Sequence, residues 1–340
     1  MPLFPNLADE LSLAIIRLAA TPTFKGCDQD PNPHLCYTTA LSLARVSRNF
    51  YVEVMPILLH TVVLRSRKSL LAFHDFVQPK QPLAERGTNY AKLIQDCRIW
   101  SVGIEGNLDS MRSDEYLDYK PVYQILKKTK SLGLHNSTHH LLHNALFERD
   151  VDPAMDWTCR EALFWGRWCN WTGLTCSAGG LAFLERLTRL TIWIEDASSE
   201  ITDDLRGLPT WTKKIPFKHM PHLTHFACSL TRNDIKRTNP NDELTGYHTP
   251  TRMMVYIASP SIPRQDKHII EQWLSDPLDT HGVVVEYSPS PRSQYYSGRS
   301  STYSSAAAFL FREFWEEAYF CGDSDRAWDE ASRQSVQCQR

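Results

Sequence analysis

Apolar residues in the first sixty positions recur with the period of an α-helix. In "NLADELSLAIIRLAA", Leu7, Leu11, Ile15 and Leu18 fall at i, i+4, i+8 and i+11, one stripe of a helix. Asn6 is placed to cap it, and Asp9 and Glu10 sit in the first turn, where the helix dipole favours negative charge. The next segment, "TPTFKGCDQDPNPHLCY", carries three prolines and a glycine, so residues 21–38 read as a loop. A second stripe, Leu43, Val46, Phe50 and Val54, predicts one continuous helix. It is expected to stop near Met55, because Pro56 disfavours helical geometry in the residue before it and can open a fresh turn. The β-branched "TVVL" at 61–64 then reads as a strand.

Farther along, the pattern changes to a recurring phrase. "LERLTRLTIWI" carries Leu184, Leu187, Leu190 and Ile192 at the spacing of a leucine-rich repeat, and "MPHLTHFAC" repeats it with Met220, Leu223, Phe226 and Cys228. "LKKTKSLGL" repeats it with Leu126, Leu132 and Leu134, while "CRIWSVGI", "RMMVYIA" and "GVVVEY" add strands without a clear lead-in. Read this way the strands come roughly 30 to 60 residues apart, wider than regular leucine-rich repeats. The expected fold is mixed α/β: a short N-terminal helical module over 1–60, then a degenerate leucine-rich-repeat-like α/β solenoid over 61–287. An ordinary α/β domain with a parallel sheet is the competing reading. In a solenoid Leu190, Ile192 and Ile194 point inward, and Thr191, Trp193 and Glu195 lie on the exposed sheet face, where Trp193 is a candidate anchor for a substrate protein. Residues 288–305 are rich in Ser, Tyr and Pro and read as a flexible loop. Over 306–340, Ala307, Leu310, Phe311, Phe314 and Ala318 mark an amphipathic helix that stops at Gly322, with a shorter helix carrying Trp328 after it, together capping the solenoid.

The charge balance removes one class of partner. Lys and Arg number 37 against 39 Asp and Glu, a net charge of −2, so no basic excess points to nucleic acid. Nine cysteines without a C-x-x-C pair read as reduced thiols. The N-terminus carries acids where a signal peptide needs an apolar core, and no apolar run approaches the ~20 residues of a membrane span. The expectation is a soluble protein of the cytoplasm or nucleus.

Two clusters carry potential chemistry. His135, His139, His140 and His143 crowd "LHNSTHHLLH", with His139 and His143 at a helical i, i+4 spacing that can bind zinc. The glutamate of H-E-x-x-H is absent, so a polar, His-rich helix face is the preferred reading. "WTCREALFWGRWCNWTG" holds Trp157, Trp165, Trp168 and Trp171, and reads as a core helix with its flanking turn, more than as a ligand platform. Nucleophile elbow, phosphate-cradling glycine loop and spaced carboxylate pair are all missing from the sequence, so neither enzyme activity, nor a cofactor, nor a metal site is expected.

"LADELSLAII" followed by "ALSLARVSRNFY" resembles the two halves of the F-box motif. Leu7, Glu10, Leu11, Ile15 and Ile16 match the first half, and Val46, Ser47, Arg48 and Phe50 the second. Ala8 stands where the motif's proline normally sits, and the loop between the halves is long. "MPILLHTVVL" and the closing "FWEEAYFCGDSDRAW" are similar to segments of the F-box proteins abundant in mushroom-forming fungi. The resemblance implies an adaptor of an SCF-type (cullin-RING) ubiquitin ligase. Leu7, Glu10, Leu11, Ile15, Ile16, Leu43, Val46, Ser47 and Phe50 would bind a Skp-type linker protein and, through it, cullin, and the repeat domain would bind an unknown protein substrate. The alternative is a non-enzymatic interaction scaffold whose N-terminal helices cap its own core and bind no linker.

Overall fold

A computed structural model describes residues 7–21, 23–25, 34–64, 67–78, 98–101, 119–135, 138–147, 157–166, 169–194, 214–230, 252–257 and 281–286. The chain is a mixed helix-and-strand protein built on a parallel sheet. The expected Ser-rich loop and C-terminal helices over 288–340 lie outside the described residues.

The first unit is three helices: α1 (Asp9–Ala20), α2 (Thr38–Leu43) and α3 (Arg48–His60). Between α1 and α2, β1 (Thr23–Lys25) pairs antiparallel with β2 (His34–Cys36), so the ends of the expected loop close into a small two-stranded sheet. Helix α1 carries Asp9 and Glu10 in its first turn as expected, but Ala8 occupies the cap position and offers no side-chain acceptor. Asn6 lies outside the described residues.

The second predicted helix is in fact two. Arg45 and Val46 turn back onto Ser42 and Leu43 through 3-10-type bonds, and Ser47 then adopts an extended conformation and caps α3, its hydroxyl accepting from the Phe50 N–H at 3.2 Å. Nor does α3 stop at Met55, since it runs through Pro56 to His60. A mid-helix proline removes one backbone bond and costs about 3 kcal/mol in isolation. Tertiary packing on the far side offsets it: Leu59 is buried and Leu58 packs against both cores. Loss of the Ser47 cap in Ser47→Ala is expected to lower stability by about 1 kcal/mol, read as a shift in the urea midpoint.

Helix α3 passes without a loop into β3 (Thr61–Val63), the first strand of the main sheet. There follow α4 (Arg67–Val77), β4 (Arg98–Ser101), α5 (Lys120–Lys128), β5 (Ser131–His135), α6 (His139–Phe147), β6 (Glu161–Gly166), α7 (Trp171–Thr175), α8 (Ala178–Arg186), β7 (Arg189–Ile194), a 3-10 turn at Phe217–His219, β8 (His225–Leu230), β9 (Arg252–Ile257) and β10 (His281–Glu286). The eight strands β3 to β10 are parallel and pair in strict chain order, each with the next. They begin at 61, 98, 131, 161, 189, 225, 252 and 281, so successive starts are 27 to 37 residues apart. The wider, irregular spacing read from the sequence came from missing β6. "EALFWG" is a strand where a Trp-rich core helix was expected, because Ala162 and Phe164 alternate into the core with period two.

The helices between strands touch one another in sequence, and their apolar residues share one core with one face of the sheet. Leu132, Leu134, Ala162, Phe164, Leu190, Ile192, Phe226 and Cys228 supply the strand side. Val122, Leu126, Leu142, Leu174, Phe183 and Leu184 supply the helix side. The expectation that Leu190 and Ile192 point inward holds, whereas the opposite face departs from it. Thr191 is 1% exposed, and its register partners Leu163 and Ala227 are as deeply buried, so this row is not the exposed surface expected of it. A central parallel strand with neighbours about 4.8 Å away on either side is shielded by them, and such sheets are usually buried on both faces.

The loops that lead into the strands are tied together in a ladder. Thr158 donates its hydroxyl to the Lys127 carbonyl, Thr188 to that of Arg160, and Thr224 to that of Thr188. The backbone N–H groups of Arg160, Arg189 and His225 make parallel bonds to Lys130, Arg160 and Thr188. These bonds satisfy polar groups at the strand starts and hold successive loops in register.

Candidate functional site

The three N-terminal helices form a unit with a small core of their own. Ile16, Ala20, Ala40 and Val54 are its buried residues, with Tyr37, Leu43, Ala44, Phe50, Ile57 and Leu58 packed around them. Arg17 ties α1 to α3 by donating to Glu53, with Nη2 to Oε2 at 2.8 Å and Nε at 3.0 Å. The Tyr37 hydroxyl donates to the Thr61 carbonyl at 2.9 Å and fastens the unit to the sheet. Helix α3 itself straddles two cores: Val54 belongs to the small one, Met55 and Leu59 to the large one.

The face of α1 turned inward is not the one the sequence pattern selects. Ser12, Ile16 and Ala20 are buried, while Leu11, Ile15 and Leu18 of the apolar stripe, the first two expected to meet a linker, are 56%, 52% and 78% exposed. Ser12 is tolerated inside because its hydroxyl donates to the Ala8 carbonyl at 3.1 Å. Leu41, Val46 and Val52 are exposed as well. Among the described residues seven large apolar side chains are strongly exposed, and six of them lie between 11 and 52.

The nine residues expected to meet a linker therefore divide. Leu11, Ile15 and Val46 are exposed apolar groups, Glu10 is exposed beside them in sequence, and Leu7 is half-buried. Ile16 is core, and Leu43 and Phe50 turn partly into that core. Ser47 is the cap of α3. Leu18, which the sequence places in the Leu11–Ile15 stripe, is exposed with them though absent from the expected linker set, and Leu41 and Val52 are exposed apolar residues that the sequence did not single out. Trp193 lies in β7 in register with Trp165, and its side chain is outside the described structure.

One member of the histidine cluster departs from the expected polar helix face, while His140 and His143 are partly exposed. His139 opens α6, is 6% exposed, and sets its ring edge-on to Phe164 at 5.2 Å. Its Nε2 has no hydrogen-bond partner among the described residues. Burial lowers its pKa from 6.5 to about 4, the nearby His143, His135 and His140 add to that, and a hydrogen bond to the Leu134 backbone opposes it. The ring is neutral in the fold at pH 7. As pH falls below 6.5 the unfolded chain takes a proton that the folded chain refuses until about pH 4, so stability declines across that window, by an amount on the order of 3 kcal/mol for this group. His139→Leu is expected to flatten the urea-midpoint profile between pH 6.5 and 4, where an unchanged slope would contradict the assignment.

Among the described residues no group of three or more His, Cys, Asp or Glu side chains could hold a metal ion. The described cysteines are not in disulfides, and burial pushes the Cys159 thiol up to about 12, which makes it inert. Among them, too, no helix is long and apolar enough to cross a membrane. No family model, no curated protein and no solved structure matches the chain.

Proposed function

We propose that this protein is an adaptor of an SCF-type (cullin-RING) ubiquitin ligase, working in the cytoplasm or nucleus. The N-terminal helices hold a Skp-type linker, and through it cullin, while the strand-and-helix domain is a degenerate leucine-rich-repeat solenoid that holds a substrate protein. The adaptor catalyses nothing itself. It raises the effective concentration of the substrate near the ubiquitin-charged enzyme. The observation that carries this reading is the exposed apolar set Leu11, Ile15, Leu18, Leu41, Val46 and Val52 on a helical unit whose own core is already closed. The strict chain order of eight parallel strands, with helices stacked along one face, supports the solenoid over a doubly wound sheet, in which the order reverses at a switch point.

The scaffold reading draws on a different observation. Leu43 and Phe50 pack partly into the chain's own core, and Ala8 replaces the motif proline. Co-purification of the full chain with a Skp-type linker separates the two. Retention of the linker by the folded protein supports the adaptor, and failure to retain it leaves the scaffold.

A further inference from the structure

The N-terminal unit draws part of its shape from a helix it shares with the sheet domain. Its fully buried core is small: Ile16, Ala20, Ala40 and Val54, two of them alanines. Around these pack Ile57 and Leu58, which lie on α3 beyond Pro56. A proline inside a helix takes away the bond to the carbonyl four residues back, here that of Val52, and in an isolated helix it breaks or kinks the chain at that point. Ile57 and Leu58 therefore reach the small core only if something holds α3 helical past Pro56.

The large core supplies that hold. Met55, just before the proline, and Leu59, one turn farther on, are 7% and 8% exposed, and both belong to the cluster shared by the sheet and its helices. Tyr51 packs against the same cluster one turn earlier. After His60 the chain enters β3 directly, so no linking residue separates helix from sheet. The strand is itself fixed. Thr61 to Val63 pair in register with Arg98 to Trp100, and the Thr61 carbonyl accepts from the hydroxyl of Tyr37, the residue just ahead of α2. The N-terminal helices are thus tied down through α3 and through Tyr37, and both ties end in the sheet domain.

We infer that α3 is a conformational strut: the order of α1 and α2, and with it the exposed apolar set they carry, depends on the packing of the large core around Leu59. The dependence runs one way. The large core has its own buried residues from α4 to β8 and meets α3 at one end, whereas the small core loses Ile57 and Leu58 when α3 unwinds after Met55. A small core cannot supply the free energy of folding alone, so a part that leans on a larger core opens with the element that joins them. A ligand that tightens β3 and its neighbours tightens α1 and α2 without touching them. The inference holds whatever the N-terminal helices bind.

The test is native-state hydrogen exchange on the full chain, reading the amides of α1 and α2. In Leu59→Ala these should exchange at least about tenfold faster than in wild type, although Leu59 belongs to the large core and not to the small one. Leu142→Ala is the control. It is the same truncation in the same large core, but on α6, and it should leave α1 and α2 as they are. Pro56→Ala tests the strut without any loss of buried surface, since it returns the missing N–H at an exposed position. On its own it should slow exchange in α1 and α2, and in the Leu59→Ala background it should recover most of the lost protection. Pro56→Ala decides the matter even where Leu59→Ala fails to fold. Unchanged exchange of α1 and α2 in folded Leu59→Ala or in Pro56→Ala overturns the inference, as does an equal loosening by Leu142→Ala.

Discussion

Phe164→Ala should lower the unfolding free energy by about 3–5 kcal/mol, the range for truncating a fully buried phenylalanine. Phe164 is 2% exposed in the middle of β6, with the His139 ring edge-on at 5.2 Å and the Trp171 ring at 5.7 Å. It joins α6, α7 and the sheet, so the hole left by its ring has walls from three elements and collapses poorly. Truncation also removes two edge-to-face contacts, each worth about 0.5–1.5 kcal/mol beyond area burial. The check is the urea midpoint followed by tryptophan fluorescence, with the slope unchanged. A cost under about 1 kcal/mol, the ordinary effect of a surface change, would mean that residues 161–166 do not lie in the core as a strand.

The second large effect separates two neighbouring residues. Ile16→Asp buries a carboxylate in a core whose fully buried members are Ile16, Ala20, Ala40 and Val54, with no cation among them. An unpaired charge in such a place costs several kcal/mol, more than so small a core supplies. Ile15 lies about 100° around the same helix and is 52% exposed, so Ile15→Asp should stay within about 0.5 kcal/mol of wild type. Hydrogen exchange reads both. In Ile16→Asp the amides of α1 and α2 should exchange early, while β5 to β8 keep their protection because Met55 and Leu59 still anchor α3 in the large core. Equal protection of α1 in the two variants would put the wrong face of that helix inward.

Much of the sheet was legible in the sequence, and the reason is local. "LTIWI", "HFACS" and "LGLH" alternate apolar residues with period two, and the phrase of leucines before each marks where a helix hands over to a strand. What stayed hidden follows from competition between local preference and packing. β6 reads as a helix in the sequence because Trp165 and, beyond the strand, Trp168 also fit a helical spacing, and nothing local distinguishes the two periods over six residues. Pro56 signals a stop in any isolated helix, yet Leu58 and Leu59 hold the chain helical beyond it. The inward face of α1 was unreadable for a different reason. Apolar residues occupy both Leu11–Ile15–Leu18 and the Ile16–Ala20 side, so periodicity shows a helix but not which side is covered by the chain itself. Burial of His139 was equally silent, since its polarity argued for the surface.

The measurement that bears most directly on the account is a calorimetric titration of a purified Skp-type linker into wild type, Ile15→Asp and Val46→Asp. Linker binding through these helices predicts a one-to-one complex with wild type and at least about tenfold weaker binding by each folded variant, since each would place a charge in the apolar centre of the proposed interface. No heat with well-folded wild type, or equal affinity for all three proteins, would contradict it.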